Sequence, residues 1–139
     1  STPGRTRLVN YFNVNNQFYL VDLPGYGFHK AGKNLASAWD SVMNDYFIDN
    51  QNLKLVLVLL DCRHAPTDLD KQMLDYLATN ELPAVLILTK TDKISRSELN
   101  NQIALIAKEL RFNKAVIVPT SAEKKQGKER VAEILKDYV

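Results

Sequence analysis

Three short apolar runs separated by stripes of helical spacing constrain this chain more than any other feature. Leu55 to Leu60 is a continuous apolar run between Lys54 and Asp61, as in a strand covered on both faces. Ala84 to Leu88 and Ala115 to Val118 repeat the pattern. Between and after them, apolar side chains recur at helical spacing. The stripes are Leu69, Met73, Tyr76 and Leu77, then Leu99, Ile103, Ile106 and Leu110, then Val131, Ile134, Leu135 and Tyr138. Thr67 with Asp70, and Ser95 with Glu98, have capping-box spacing at two of the helix starts. Upstream, Leu35, Trp39, Val42, Met43, Tyr46 and Phe47 predict a further helix. Arg7 to Asn13 and Phe18 to Asp22 predict two strands joined at Asn15-Asn16, a hairpin signal. The order β-β-α-β-α-β-α-β-α predicts an α/β fold, a mainly parallel sheet with helices on both faces and the hairpin as an antiparallel edge.

Composition removes several alternatives. The chain has 139 residues, 45% of them hydrophobic and 24% charged, which is a globular composition rather than a disordered one. The net charge of +2 does not argue for wholesale binding to nucleic acid or membrane. No apolar run is long enough to cross a bilayer, and no secretory leader is visible. The single cysteine, Cys62, can form neither an internal disulfide nor a cysteine metal site. A cytoplasmic location is the expectation.

In parallel α/β sheets ligands collect at the carboxyl ends of the strands, so the residues there carry the functional argument. After the second strand comes Asp22-Leu23-Pro24-Gly25-Tyr26-Gly27. It reads either as a plain Pro-Gly turn or as a carboxylate near a phosphate-bound Mg²⁺, followed by a glycine whose N–H approaches a terminal phosphate. After the fourth comes Thr89-Lys90-Thr91-Asp92. It is either a polar turn or a guanine pocket, in which a carboxylate accepts from N1–H and the exocyclic amine, and the Lys90 stem covers the base. After the fifth comes Thr120-Ser121-Ala122, where a small residue would let a backbone N–H meet guanine O6. Near the start, Gly4-Arg5-Thr6 offers a hydroxyl for Mg²⁺, with Thr2 as a rival.

Taken together, Thr2 to Thr6, Asp22 to Gly27, Asp61 to His64 (Asp-x-Arg-His), Thr89 to Asp92 and Thr120 to Ala122 closely resemble the EngB-type ribosome-biogenesis GTP-binding proteins. These are a branch of the P-loop GTPases, and the resemblance extends over essentially the whole chain. It implies a three-layer P-loop GTPase fold, GTP or GDP with Mg²⁺ as cofactors, and the large ribosomal subunit or its RNA as partner. A monomer is the default expectation for the intact protein, and the short apolar runs and small net charge lead to no expected association with membranes. The resemblance makes Thr6 the switch threonine that contacts Mg²⁺ and the γ-phosphate, within a nucleotide-sensitive segment Gly4, Arg5, Thr6, Arg7 and Leu8. Asp22 would hold Mg²⁺ through water, Leu23 and Pro24 would bind the nucleotide beside it, and Gly25 would sense the γ-phosphate, with Thr6 and Gly25 as the catalytic residues. Thr89, Lys90, Thr91 and Asp92 would select guanine, and Thr120, Ser121 and Ala122 would complete that pocket.

The sequence departs from the family pattern at one place. A strand, Gly-x-x-x-x-Gly-Lys-Ser/Thr and a helix are expected first, and no such motif occurs in these 139 residues. The expectation is therefore one GTPase domain over 1–139, N-terminally incomplete, lacking the first strand, the P-loop and the first helix. Tyr26 stands where many GTPases carry a water-orienting glutamine, which predicts slow intrinsic hydrolysis accelerated by a partner. Arg63 and His64 read as a turn that fixes Asp61 and the following helix, or as RNA contacts or catalytic groups. The resemblance puts His29, Lys30 and Lys33 in the second switch region, where they read as contacts to ribosomal RNA or as solvated charge. Lys124, Lys125, Lys128 and Arg130 are either a phosphate-contacting patch or a solvated helix entry. Three functions follow: a GTP-hydrolysing switch in large-subunit assembly, a non-hydrolysing RNA- or ribosome-binding module, and one part of a split or domain-swapped GTPase.

Overall fold

A computed structural model describes residues 9–23, 25, 44–48 and 50–139. The chain divides into two compact units, the first residues 1–53 with 139 and the second residues 54–138.

In the first unit, β1 (Asn10–Val14) pairs antiparallel with β2 (Phe18–Asp22), with Asn10 opposite Asp22 and Val14 opposite Phe18. The turn forms where expected. Asn15 and Asn16 take φ of 54° and 57°, a left-handed region that Asn tolerates better than most side chains. The Asn13 side chain ties the turn by accepting from the Asn16 N–H at 3.0 Å. β1 begins at Asn10, with Val9 outside the strand, and the predicted Arg7 and Leu8 lie outside the described residues. Of the predicted upstream helix, residues 44–47 are helical, and Phe47 is buried. Its remaining residues lie outside the described ones, as do Tyr26, His29, Lys30 and Lys33.

The second unit holds the parallel sheet. β3 (Val56–Asp61), β4 (Ala84–Thr89) and β5 (Ile117–Pro119) lie in the order β3-β4-β5, with Asp61 in register with Thr89 and Leu88 with Pro119. The connections are α1 (Asp68–Thr79) and α2 (Arg96–Glu109), and α3 (Lys128–Lys136) follows β5. The hairpin, predicted as an edge of this sheet, is described as a two-stranded sheet of its own.

Central β4 is buried from Val85 to Leu88, as its apolar run requires. One face of the sheet packs Val85, Ile87 and Val118 with Ile134 of α3, and Leu55, Leu57, Val116 and Val131 border that cluster. Strand alternation turns Leu86 and Leu88 to the opposite face, where both are fully buried. The expectation that β3 is covered on both faces fails at its end, where Leu59 is 63% exposed. Alternation puts Leu59 on the face of Leu57, beyond the reach of the α3 cluster. The fifth strand is also shorter than predicted. Lys114–Val116 form a 3₁₀ turn, whose start the Asn113 side chain holds by accepting from the Ala115 N–H.

Local chemistry explains the helix starts. Thr67 and Asp70 complete a reciprocal capping box, satisfying two N–H groups that the helix leaves free. Ser95 caps only in part. Its hydroxyl accepts from the Glu98 N–H at 3.1 Å but donates to the Glu98 carboxylate at 3.0 Å. The carboxylate thus takes the side-chain proton, where a capping box would have it accept from the Ser95 N–H.

Candidate functional site: the loops that end β4 and β5

Thr89 closes β4 and is tied to β3. Its carbonyl accepts from the Cys62 N–H at 3.1 Å, and its hydroxyl points to the Leu60 carbonyl at 3.4 Å. The chain then turns sharply at Lys90, whose φ is 62°. That left-handed conformation is strained for a residue with a Cβ. It is held by two bonds to the Lys90 carbonyl, from the Lys93 N–H at 3.0 Å and from the Cys62 thiol at 3.3 Å. Cys62 is buried, which pushes its thiol pKa up. It acts as a small packed donor rather than a reactive thiolate.

The two loops are laced together at the strand ends. The Thr120 N–H and hydroxyl both donate to the Leu88 carbonyl, at 2.7 and 3.0 Å. Its carbonyl accepts from the Thr91 N–H at 3.1 Å and the Thr91 hydroxyl at 2.9 Å. The Thr-Lys-x-Asp and Thr-Ser-Ala segments therefore form one surface.

Asp92 and Ser121 lie at its centre. The Ser121 hydroxyl donates to Asp92 Oδ1 at 2.7 Å and accepts from the Lys124 N–H at 3.0 Å. Ser121 is 1% exposed, so this hydroxyl is buried with its bonding satisfied. The Asp92 side chain retains 8% of its exposure, and its Oδ2 lies 3.5 Å from Lys93 Nζ. The hydrogen bond from Ser121 is the main cause that lowers the Asp92 pKa, with Lys93 assisting. The group stays an acceptor-only carboxylate at neutral pH.

The loop after Ser121 returns on itself. Ser121 and Gln126 exchange backbone hydrogen bonds at 3.0 and 2.9 Å. Gly127 then leaves at φ 90°, where a Cβ would sit 2.5 Å from the Pro119 carbonyl oxygen. Only glycine suits both the torsion and the space. Ala122 is exposed, and its N–H meets no acceptor among the described residues.

Asp61 brings a third strand end to the same surface. Arg63 grips it with its backbone N–H and Nε on Oδ1, both at 3.0 Å, and with a terminal nitrogen on Oδ2 at 2.7 Å. Lys90 Nζ lies 3.4 Å from the same Oδ2. The Arg63 hydrogen bond chiefly holds the Asp61 pKa well below the usual carboxylate range. Asp61 and Arg63 thus lie beside the two loops, and the Arg63 hydrogen bonds match the reading of the motif as a turn that fixes Asp61. The available signal was position: Asp61 ends an apolar run just as Thr89 does. An open cleft of about 180 Å³ beside Asp61, lined by Leu59, His64, Pro66 and Thr67 among others, contains none of the residues of the two loops.

The other predicted residues fall in the first unit or outside the described ones. Asp22 ends β2 and is exposed, Leu23 is half-buried, and Gly25 is exposed. Gly4, Arg5, Thr6, Arg7, Leu8 and Pro24 lie outside the described residues. Among the described residues no three His, Cys, Asp or Glu side chains are grouped to hold a metal ion. No helix there is long and apolar enough to cross a membrane.

Comparison with known proteins gives the family and the fold. The family model described as 50S ribosome-binding GTPase matches residues 1–90. The chain is 41% identical over 141 aligned residues to a probable GTP-binding protein EngB of Desulforamulus reducens, across all of this chain and 69% of that protein. Proteins of the same description from Kosmotoga olearia and Pelotomaculum thermopropionicum are 40% and 43% identical. Those alignments take in 97% and 100% of this chain and 72% and 71% of theirs. Among solved structures, a crystal structure of a probable GTP-binding protein engB superposes with a TM-score of 0.83 at 19% identity, over 99% of this chain and 84% of the other. A crystal structure of an Aquifex aeolicus Era variant, bound to GDP and AlF4⁻, superposes at 0.70 and 18% identity, over 95% of this chain and 44% of Era. At these identities the superpositions establish the fold, a P-loop GTPase-like α/β fold.

Proposed function

Because the chain belongs to the EngB-type GTP-binding proteins, within the 50S ribosome-binding GTPases, we propose that its β4 and β5 loops select the guanine base. On this reading the chain is part of a slow GTP-hydrolysing switch in large ribosomal subunit assembly. The observation that carries the base assignment is the Asp92 carboxylate, held by a buried serine hydroxyl at 2.7 Å. Each carboxylate oxygen has a second lone pair. The carboxylate can therefore accept from guanine N1–H and the 2-amino group while keeping Ser121 and Lys93. Adenine presents neither donor in that arrangement, and a buried carboxylate left unpaired discriminates strongly. The Ala122 N–H is a donor suited to guanine O6, and the exposed Lys90 stem would cover the ring.

The assignments at the phosphate end come from the family pattern. Asp22, an exposed carboxylate at a strand end, suits Mg²⁺ held largely by water and phosphate oxygens. Thr6 would add its hydroxyl, within the segment Gly4 to Leu8, and the Gly25 N–H would contact the γ-phosphate. When bound, Mg²⁺ neutralises charge on the phosphoryl oxygens. Tyr26, in the place of a water-orienting glutamine, makes hydrolysis slow without a partner. Residues 1–139 are read as part of one GTPase domain.

The test is a titration of the 139-residue chain with fluorescent GDP and ADP analogues in Mg²⁺ buffer, repeated with Asp92→Asn and with xanthosine diphosphate. Guanine-selective binding that shifts toward xanthine in the variant is expected. A variant that prefers guanine by the original margin rejects the role of Asp92. Thr6→Ala should weaken GTP binding more than GDP binding, and equal losses would reject the switch assignment. A second reading, an RNA- or ribosome-binding module that does not hydrolyse GTP, is favoured by Lys124, Lys125 and Lys128. These are exposed and form no ion pair among the described residues. RNA affinity that falls steeply with salt, without guanine selectivity, would establish it.

A further inference from the structure

We propose that Asp61 is a positioning residue for the nucleotide base, acting through Lys90. This rests on the guanine-pocket reading and adds a third strand end to it. Parallel pairing sets Asp61 level with Thr89, so the residue after Thr89 stands beside the Asp61 carboxylate. Lys90 Nζ approaches Oδ2 at 3.4 Å.

Exposed ion pairs between two long flexible side chains ordinarily contribute little, because both must be ordered to form them. This pair differs at both ends. The carboxylate is immobilised by three hydrogen bonds from Arg63, between 2.7 and 3.0 Å. The lysine backbone is pinned in the left-handed region by Cys62 and Lys93. What remains free is the lysine stem, and its tip is anchored to a fixed acceptor. The Lys90 side chain is 55% exposed, so its apolar stem lies open to a flat ligand while the charge stays paired. Arg63 contributes indirectly, by locking the carboxylate. Asp61 itself makes no contact with the base; it restricts where the lysine lies before the base arrives, which reduces the ordering required on binding.

The stem meets the ring face and does not read its edge, whereas Asp92 reads the edge. The two roles separate with GDP and inosine diphosphate, which lacks the 2-amino group. Both nucleotides are titrated by calorimetry into the wild-type 139-residue chain, Asp61→Asn, Lys90→Met and the double variant, with thermal melts of each. Asp61→Asn should weaken both nucleotides equally, about threefold to fivefold, leaving the GDP-to-IDP ratio unchanged. Lys90→Met keeps the stem and removes the charge, and should do the same. Asp61→Asn added to Lys90→Met should change nothing further. Wild-type affinity in Asp61→Asn, additive losses in the double variant, or a changed GDP-to-IDP ratio would each overturn the proposal. If Asp61→Asn does not fold, Lys90→Met decides alone, since unaltered affinity there overturns it. A wild-type chain without guanine selectivity would sink the pocket reading and this inference with it. Selectivity with an indifferent Asp61→Asn would sink this inference only.

Discussion

The Ser121 hydroxyl donates to Asp92 Oδ1 at 2.7 Å across a separation of 29 residues. Removing it should matter twice. Ser121→Ala strips a charge-assisted bond from Asp92 and leaves the Lys124 N–H without its acceptor. Guanine-nucleotide affinity should fall about tenfold, with a smaller loss for IDP, which engages the carboxylate less. Parallel titrations check this, and an unchanged GDP affinity would contradict it.

Acid should weaken the fold through the same carboxylates. Asp92 and Asp61 both have pKa values lowered in the folded state, Asp92 mainly by Ser121 and Asp61 mainly by Arg63. A depressed folded pKa contributes stability that is fully present above the unfolded value of about 3.9. That contribution is lost as pH falls through the folded value. Melting temperature should therefore drop below about pH 4. In Asp92→Asn this acid-dependent drop should be shallower, and identical slopes in the two proteins would show that Asp92 contributes nothing to it.

Gly127→Ala forces a Cβ to within 2.5 Å of the Pro119 carbonyl oxygen at a φ of 90°. The torsional strain alone is about 1–2 kcal/mol, and the backbone contact adds to it. The β5 end and the Ser121–Gln126 turn would have to shift. Urea unfolding should show a loss of about 2–3 kcal/mol, together with weaker guanine binding.

Thr67→Ala removes one half of the α1 capping box. A loss of about 1 kcal/mol is expected, or a melting temperature lower by about 4 °C. Nucleotide affinity should not change, because the hydrogen bonds of Thr67 serve the start of α1. Ser95→Ala should be milder, since Ser95 makes only part of a box.

Much of this molecule could be read from the chain alone, and the readable parts are local. The hairpin turn follows from two adjacent asparagines that accept positive φ. The Thr67 cap follows from an i, i+3 spacing. The burial of β4 follows from an unbroken apolar run. The strand-end segments stood out because residue type and position along the chain are enough to identify them. The Ser95 box and the limits of the fifth strand were misread. Competing hydrogen bonds decided them: the Ser95 hydroxyl proton in one case, the Asn113 cap in the other.

By itself the sequence determined the order of the described elements, the family and the strand-end segments after β4 and β5, since all of these depend on composition and short spacings. Tertiary structure alone decided how those residues are wired. The Ser121–Asp92 bond, the Thr120 lacing of β4 to β5 and the Asp61–Lys90 pair each join groups about thirty residues apart. They exist because parallel pairing sets Asp61 level with Thr89 and Leu88 level with Pro119. That register is a collective outcome of burying two sheet faces, and a contact of 3 Å requires it to be set before the contact can form.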